Sequence, residues 1–272
     1  MNQLDGSLSE LGIKGRQSHS NPSGIEAATS KLYEDIHPFE DIENSIRVYE
    51  STLGIEKSFF KGKQVLDCGF GGTGWATELF ARGEAARVVG VDLNREWATR
   101  LKARLEAYNS QTLQVQGNVL KLPFADRSFD YVHSYGVMHH TIDWKLGIAE
   151  MARVLRPGGT LFVMMYGKYG LVGEAVRLTY RGLGKVVPYN LAAWLVKTTG
   201  MMRKPRLSIL DAMYVPIEEH LSQDELGAHL DNLNLVSIRF FENSKWKGHA
   251  FAHPLLFGPA MNHNVWATKP TA

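Results

Sequence analysis

The chain has 272 residues, of which 44% are hydrophobic and 21% are charged, a composition typical of a globular enzyme with a full core. A net charge of +2 gives no support to nucleic-acid binding, and the one cysteine, Cys68, excludes an internal disulfide. No apolar run reaches the roughly 18 residues of a membrane span, and no charged leader with an apolar stretch opens the sequence. We therefore expect a cytoplasmic protein without an integral membrane segment.

The first 60 residues divide into two parts. Residues 1–22 are rich in serine, glycine and asparagine and are typical of a flexible arm. Residues 23–60 carry apolar side chains at helical spacing, which predicts a cap of two or three short helices. We expect 23–272 to form a single domain.

Strands and helices alternate over 63–166, which we predict to be the ligand-binding core. The predicted strands are 63–68, 87–92, 112–117, 129–134 and 159–166, and the predicted helices are 74–82, 95–107 and 142–155. Such alternation is typical of an α/β fold with a mostly parallel, Rossmann-like sheet and helices on both faces.

The alternation stops after the fifth strand. Residues 167–217 predict a helical insertion or lid, with helices at 173–182 and 190–199 separated by Gly182, Gly184 and Pro188. Over 218–272 the pattern predicts a helix near 222–231, a strand near 235–241 and a terminal strand at 265–268. The stretch 242–262 has too many glycines, histidines and prolines to assign.

Residues 65–74 begin with a short apolar strand that contains the carboxylate of Asp67. Glycines follow the strand, and a helical run follows the glycines. The glycines are Gly69, Gly71, Gly72 and Gly74. Glycines at a strand-to-helix turn let the backbone approach a ligand closely, but many nucleotide binders share this spacing. Asp67 narrows the choice, because a carboxylate here would repel a pyrophosphate at the helix N-terminus. A cationic ligand without a phosphate at that point, such as S-adenosylmethionine, suits the site.

Two further turns follow the next strands. Asp92, followed by Leu93, ends the second predicted strand, where a carboxylate can accept both ribose hydroxyls of an adenosine. The position suits NAD equally well, and Asp92 could instead cap the next helix. Asn118, followed by Val119, comes after the third strand, where it can bond an adenine amino group or form an Asx turn.

Together these elements resemble a known family. They are Val65–Gly71, Gly90–Asp92, Gly117-Asn118 with Leu122–Phe124, Phe129–Val132, Val137–His140 and Arg153–Gly159. In this order they are similar to class I S-adenosylmethionine-dependent methyltransferases, above all to the small-molecule branch that includes the ubiquinone- and menaquinone-biosynthesis enzymes. The resemblance covers residues 63–166.

The resemblance implies a seven-stranded sheet whose last strand, near 265, is antiparallel. It also implies S-adenosylmethionine as the cofactor and a role for each matching residue. Asp67, Gly69, Gly71 and Gly72 would line its methionine end, Asp92 and Leu93 the ribose, and Asn118 and Val119 the adenine, with Ser134 beneath. There are two departures. The loop reads Gly-Phe-Gly-Gly-Thr-Gly where Gly-Cys-Gly-Thr-Gly is common, and Asn118 stands where aspartate is usual.

Methyl transfer from a sulfonium is an in-line displacement, so the protein must align the acceptor, exclude water and, for O–H or C–H acceptors, remove a proton. His139 and His140 follow the fourth strand at the ligand-binding edge, and either imidazole can serve as the base. They could equally pack against and cap the next helix. Tyr135 is a further candidate. We predict no metal site, because adjacent histidines diverge.

Substrate candidates come from segments expected to cover the site: Tyr33, His37, Tyr166, Arg177 and Arg181. Residues 167–206 contain eight lysines and arginines against one acid, a net +7 that leaves −5 for the remainder of the chain. Three explanations stay open. The cations could bind an anionic substrate, lie on an anionic membrane, or form a solvated surface.

We therefore expect O- or C-methylation of a small, partly apolar metabolite, which the basic insertion would allow to be anionic. Alternatives are C-methylation or cyclopropanation of an isoprenoid or lipid alkene, a non-catalytic partner subunit of methyltransferase fold, and an NAD-dependent oxidoreductase. The expected partner is a small molecule and not a nucleic acid, while peripheral membrane contact and oligomerisation stay open.

Overall fold

A computed structural model describes residues 24–36, 42–108, 111–198, 203–241 and 262–271. The strands are β1 (Gln64–Cys68), β2 (Arg87–Asp92), β3 (Gln111–Gln116), β4 (Phe129–Tyr135), β5 (Leu155–Gly167), β6 (His220–Leu221), β7 (Val236–Phe241) and β8 (Asn262–Thr268). The helices among these residues are α1 (Gly24–Ile36), α2 (Ile42–Leu53), α3 (Trp75–Arg82), α4 (Arg95–Leu105), α5 (Trp144–Val154), α6 (Leu171–Val186), α7 (Tyr189–Thr198), α8 (Arg203–Tyr214) and α9 (Gln223–Asn232). Short 3₁₀ turns lie at Lys57–Phe60 and Met138–His140.

The strands form one mostly parallel sheet in the order β3-β2-β1-β4-β5-β8-β7, with the short β6 beside β5. Strand β8 runs antiparallel to both neighbours and pairs with β5 from Thr160↔Thr268 to Tyr166↔Asn262. The predicted Rossmann-like α/β class and the antiparallel strand near 265 are therefore confirmed. The two-residue β6 makes the sheet eight-stranded where seven strands were expected.

The sheet is buried on both faces, so its central strands are almost continuously apolar instead of alternating. Successive side chains of a strand point to opposite faces. Val65 accordingly belongs to a buried cluster with α2, α3 and α4, and Leu66 to a second cluster with α5 and α9. Burial on both faces holds the carboxyl ends of β1, β2 and β4 in place. The polar residues at those ends are therefore held in place as well.

The predicted elements of 63–166 are all present, with ends shifted by a few residues. The largest shift is in β5, which begins at Leu155 instead of 159 because Leu155 already pairs with Phe129. The two or three short helices predicted over 23–60 are present as α1, α2 and the first 3₁₀ turn. The C-terminal helix and two strands are also present, as α9, β7 and β8.

The insertion differs more from its prediction. Helix α6 continues through Gly182 and Gly184, and the break comes only before Pro188. Gly184 has a packing role, since a Cβ there would lie 2.1 Å from the carbonyl oxygen of Met213 in α8. Helix α8 itself was not predicted, and it brings Asp211 into the interior.

Other predictions lie outside the described residues, namely the arm at 1–22 and nearly all of the unassigned stretch 242–262. The division into cap, core, insertion and C-terminal part, and the single domain over 23–272, stay predictions. Within the described ranges, no helix is both long and apolar enough to span a membrane.

Candidate functional site

A cavity of about 290 Å³ opens where β1, β2 and β4 end, the edge at which parallel sheets bind ligands. Its described wall contains the carboxylates of Asp67 and Asp92 and no lysine or arginine. Predicted site residues in that wall are Tyr33, Asp67, Gly69, Gly71, Gly72, Asp92, Leu93, Asn118, Val119, Tyr135, His140 and Tyr166. A wall of this charge suits a cationic or neutral ligand better than a phosphate.

The loop after β1 brings backbone to the cavity. Gly69 has a φ of +79°, and a Cβ there would lie 2.3 Å from Cγ2 of Val137, so the position requires glycine. Gly71 has a φ of +63°, but a Cβ there would meet no atom within 4 Å. The loop therefore packs tightly behind Gly69 and leaves open space at Gly71 for a ligand.

Asp67 is buried at the end of β1 and is oriented by two side chains. Its Oδ2 accepts a hydrogen bond from the Thr77 hydroxyl at 2.6 Å, and its Oδ1 accepts one from Nδ1 of His133 at 2.8 Å. His133 is the register partner of Asp67 on β4, so the sheet itself brings them together. Each carboxylate oxygen has a second lone pair for a ligand donor. Asp67 is thus aligned by the protein's own contacts.

Asp92 ends β2 and is held by backbone N–H groups. Its Oδ2 accepts from Gly71 at 3.0 Å and its Oδ1 from Asn94 at 2.9 Å. Burial raises the pKa of Asp92 to about 6, although these hydrogen bonds act in the opposite direction. Asn94, and not Asp92, caps α4, since its side chain accepts from two backbone N–H groups of the first turn. The capping alternative for Asp92 is therefore wrong.

Asn118 forms an Asx turn, one of its two predicted roles, and also lines the cavity. Its Oδ1 accepts from the backbone N–H of Leu120 at 2.8 Å, which is an Asx turn. The turn holds Asn118 and Val119 in the wall beside Gly117. The two interpretations of Asn118 are compatible, because an amide side chain has further donors and lone pairs.

Tyr33, His140 and Tyr166 line the cavity and belong to a hydrogen-bonded cluster built from four elements, in which Asp211 is the fourth residue. The Tyr33 hydroxyl donates to Oδ1 of Asp211 at 2.5 Å and lies 2.7 Å from Nε2 of His140. Tyr166 donates to the other oxygen of Asp211 at 3.0 Å, and Nδ1 of His140 lies 2.8 Å from the carbonyl oxygen of Ile217. Burial and the charge of Asp211 raise the pKa of both tyrosines well above the usual range, so both phenols stay protonated.

The two adjacent histidines have different environments. His139 is fully buried behind the cavity wall, with its ring stacked on Tyr166 at a centroid distance of 3.7 Å. Burial and the neighbouring His140 lower the pKa of His139 well below its ordinary value, so it stays neutral. His140 alone of the pair lines the cavity. Neither caps α5, because the carboxylate of Asp143 does so.

Ser134 also lies behind the wall. Its hydroxyl donates to the carbonyl oxygen of Cys68 at 3.0 Å, which ties the end of β4 to the end of β1. Cys68 is fully buried, and burial raises the pKa of its thiol well above the usual range, as expected for a small core residue without a nucleophilic role. Ser134 is thus placed to support the glycine loop, and Tyr135 beside it lines the cavity.

The two predicted substrate cations do not reach the described wall. Arg177 binds Glu174 at 2.5 Å and lies 3.7 Å from the buried carboxylate of Glu218. Arg181 donates to the carbonyl oxygen of Val215, next to the end of α8. Both guanidinium groups fasten α6 to its neighbours, so the geometry does not support a role in binding an anionic acceptor. His37 lies outside the described residues.

Comparisons with known proteins agree with this geometry. A family model described as a methyltransferase domain matches residues 66–163. Demethylmenaquinone methyltransferase from Bacillus cereus is 28% identical over 156 residues, covering 54% of this chain and 66% of that protein. A structure of an S-adenosylmethionine-dependent methyltransferase from Mesorhizobium loti gives a TM-score of 0.55 at 15% identity, covering 84% of this chain and 100% of the other. Residues 66–163 are thus a methyltransferase domain, and the chain is similar to class I S-adenosylmethionine-dependent methyltransferases.

Likeness of fold alone does not decide the chemistry of this chain. The structure of the [4+2]-cyclase SpnF also gives a TM-score of 0.53 at 15% identity, covering 85% of this chain and 82% of that one. The match to the Bacillus cereus relative likewise leaves about a third of that protein uncovered. Acceptor and reaction must therefore be argued from the cavity.

The methyltransferase domain and the similar structures imply S-adenosylmethionine as the cofactor, and the cavity fits it. Gly71 lines the same cavity as the two buried carboxylates, and the described wall has no lysine or arginine to oppose a charged sulfonium and ammonium. Asp67 would hold the ammonium group, Asp92 the ribose hydroxyls and Asn118 the adenine. Asp67 is also the feature that disfavours NAD, whose pyrophosphate it would repel, whereas Asp92 suits the ribose of either ligand.

Part of the cavity wall was not predicted from the sequence. Thr29 and Ser30 line the cavity from α1, and their spacing of four and three residues from Tyr33 could have placed them on the same helix face. Trp75 and Trp97 also line it, but their apolar side chains are typical of core positions. Asp211 carries no local signal, because it meets Tyr33 only through tertiary packing.

Proposed function

We propose that this protein transfers the methyl group of S-adenosylmethionine to an oxygen or carbon atom of a small, partly apolar acceptor. The observation that carries the proposal is that one cavity joins the cofactor wall to the cluster of Tyr33, His140, Tyr166 and Asp211. A scaffold subunit would need neither the two aligned carboxylates nor a buried acid–base cluster beside them.

The cluster is suited to holding a proton. A carbonyl oxygen only accepts, so the contact with Ile217 places a hydrogen on Nδ1 of His140. The single hydrogen of the Tyr33 hydroxyl cannot serve both Nε2 of His140 and Oδ1 of Asp211. If the imidazole of His140 is neutral and the carboxylate of Asp211 is ionised, only one of these two contacts can be a hydrogen bond. One additional proton in the cluster makes both contacts hydrogen bonds.

This proton count gives the cluster the behaviour of a general base. Without that additional proton, one of the two contacts of Tyr33 places lone pairs against each other. Taking up a proton removes this repulsion. A proton leaving the acceptor can enter at the oxygen of Tyr33 while the hydrogen of Tyr33 passes to Nε2 of His140. The resulting imidazolium is balanced by Asp211, whose Oδ1 lies 3.9 Å from Nε2.

The cofactor supplies an electrophilic methyl group on a sulfonium, whose departure leaves a neutral thioether. The chain's own residues hold the acceptor, exclude water and remove its proton. The wall around the cluster is aromatic and apolar, with Tyr135, Val137, Met164 and Tyr166. We therefore favour a neutral acceptor of ring type over an anionic one, and the name of the demethylmenaquinone methyltransferase relative supports this choice.

The test is transfer of label from methyl-labelled S-adenosylmethionine to three panels of acceptors. The panels are neutral phenols and quinols, anionic prenyl diphosphates and acyl carboxylates, and isoprenoid or lipid alkenes. We expect transfer to the first panel. Transfer to the second alone would contradict the neutral acceptor, transfer to the third would favour C-methylation or cyclopropanation of an alkene, and no transfer by protein with bound cofactor would contradict the proposal itself.

A further inference from the structure

Helix α6 is amphipathic with its apolar face outward. Its large apolar side chains are 39% to 76% exposed, namely Leu171, Val172, Val176, Leu178, Leu183 and Val186. The opposite face carries Arg177, Arg181 and Gly184, which contact Glu218, the carbonyl of Val215 and the backbone of Met213. A surface helix of a globular protein normally turns its apolar face to the core.

Helix α7 repeats this arrangement. Ala192 is buried in a small cluster with Leu210 and Val215, whereas Leu191, Trp194 and Leu195 are 44% to 59% exposed. These three residues and the six of α6 are called here the α6–α7 apolar surface. Nine of the twelve exposed large hydrophobic residues in the described parts of the chain belong to it. Such concentration marks an interaction site instead of scattered surface residues.

We propose that the α6–α7 apolar surface docks on an anionic phospholipid membrane. Helices with an outward apolar face, a tryptophan and flanking cations lie in the plane of a bilayer interface with the apolar face in the acyl boundary. Residues 167–206 carry a net +7. Arg177 and Arg181 face away from the apolar surface, and Lys185 is the exposed cation of α6. Anionic headgroups attract such a segment.

Charge also decides between a membrane and a second copy of the chain. A symmetric dimer through this surface would bring one +7 segment against another, at an electrostatic cost. An anionic lipid surface turns the same charge into attraction. The remainder of the chain, at −5, is repelled by that surface. The two signs together would orient the protein with α6 and α7 against the lipid.

The test is vesicle sedimentation of the full chain. One set of vesicles contains phosphatidylcholine alone, and the other contains phosphatidylcholine with phosphatidylglycerol. The variant Leu178→Ser/Trp194→Ser removes two members of the surface, and Leu146→Ser/Val236→Ser is the matched control, because those residues are also exposed apolar side chains but lie elsewhere. Unchanged thermal midpoints and S-adenosylhomocysteine affinity verify that both variants are folded.

We expect the native chain and the control to bind phosphatidylglycerol vesicles roughly tenfold or more tightly than neutral ones, and Leu178→Ser/Trp194→Ser to lose most of that binding. Brominated lipids should quench the native fluorescence more than that of Trp194→Phe. Absence of vesicle binding, or equal binding by all variants, would overturn the proposal. A dimer that Leu178→Ser/Trp194→Ser dissociates, without vesicle binding, would assign the surface to a second copy. None of these readouts needs turnover, so they stand apart from the test of methyl transfer.

Discussion

Tyr33 in α1 donates a 2.5 Å hydrogen bond to Asp211 in α8, although 178 residues separate them in the chain. The same hydroxyl lies 2.7 Å from His140, which follows β4. The acid–base cluster is therefore complete only when the helical cap and the insertion are both packed on the core. A change at any of the three elements should act on the chemistry as well as on the structure.

Asp211→Asn and Tyr33→Phe should each lower kcat by roughly 10²-fold or more, because each removes a group that lets the cluster take up a proton. S-adenosylhomocysteine affinity should stay near the native value, since the cofactor is assigned to Asp67, Asp92 and Asn118 and not to these two residues. Steady-state kinetics and calorimetry separate the two effects.

The matched control for Tyr33→Phe is Tyr108→Phe. Tyr108 likewise donates to a buried carboxylate, that of Glu78 at 2.8 Å, but does not line the cavity. Native kcat in the Tyr33→Phe variant, or an equal loss in Tyr108→Phe, would contradict the assignment of the base.

Binding of the adenosine part of the cofactor should weaken as the pH falls through about 6. Burial raises the pKa of Asp92 to about 6, so below this value the carboxyl becomes protonated and a poorer acceptor for ribose hydroxyls. Methylthioadenosine is the suitable probe, since it lacks the titrating amino-acid group. Asp92→Asn should bind about tenfold less tightly near neutral pH and should show no such pH dependence. A pH-dependent Asp92→Asn variant would assign the titration to another group.

His139 should make folding stability sensitive to mild acid. Burial lowers its pKa well below the ordinary value of 6.5, so below pH 6.5 the unfolded chain takes up a proton that the folded protein does not. Its contribution to the free energy of unfolding is complete above pH 6.5 and is lost as the pH falls. His139→Phe keeps a ring against Tyr166 but has no imidazole to protonate. Below pH 6.5, each pH unit of acidification should therefore lower its free energy of unfolding by roughly 1 kcal/mol less than that of the native protein. Thermal unfolding across this range measures the difference, and parallel curves would contradict it.

Two glycines of α6 should respond to alanine in opposite directions. At Gly184 a Cβ would lie 2.1 Å from the backbone of Met213, so Gly184→Ala should destabilise by about 1–3 kcal/mol. At Gly182 a Cβ meets nothing within 4 Å, so Gly182→Ala should stabilise by about 0.5–1 kcal/mol through helix propensity. Denaturant titrations of both variants measure these changes, and equal effects would show that α6 and α8 do not pack as described.

The cofactor half of the site was predictable because its residues follow strands. Asp67 and Asp92 lie at the ends of mainly apolar strands, and Asn118 follows the third strand; parallel strands bring such residues to one edge whatever the rest of the chain does. The glycine spacing after β1 narrowed the prediction further. Local sequence was therefore sufficient for this wall.

The other wall depends on contacts that no local pattern encodes. Asp211 lies in a helix that was not predicted, and its partners are Tyr33 and Tyr166 from distant elements. Arg177 and Arg181 show the converse problem, since helical spacing placed them on one face but could not tell which way that face points. The outward apolar face of α6 reverses the usual rule, so hydrophobic periodicity alone would not have given the orientation of this helix.

Strand β8 has a consequence for how the molecule assembles. Phe162 in β5 and Trp266 in β8 are register partners, although roughly a hundred residues separate them in the chain. Pairing of these two strands therefore closes a long loop, which costs conformational entropy. Strand β7 reaches the sheet through β8, so it cannot dock before β8 has paired. Until then the side of β5 that β8 later covers offers unpaired backbone groups to other chains. A late step in folding, with a transient tendency to associate through that edge, is therefore built into the strand order.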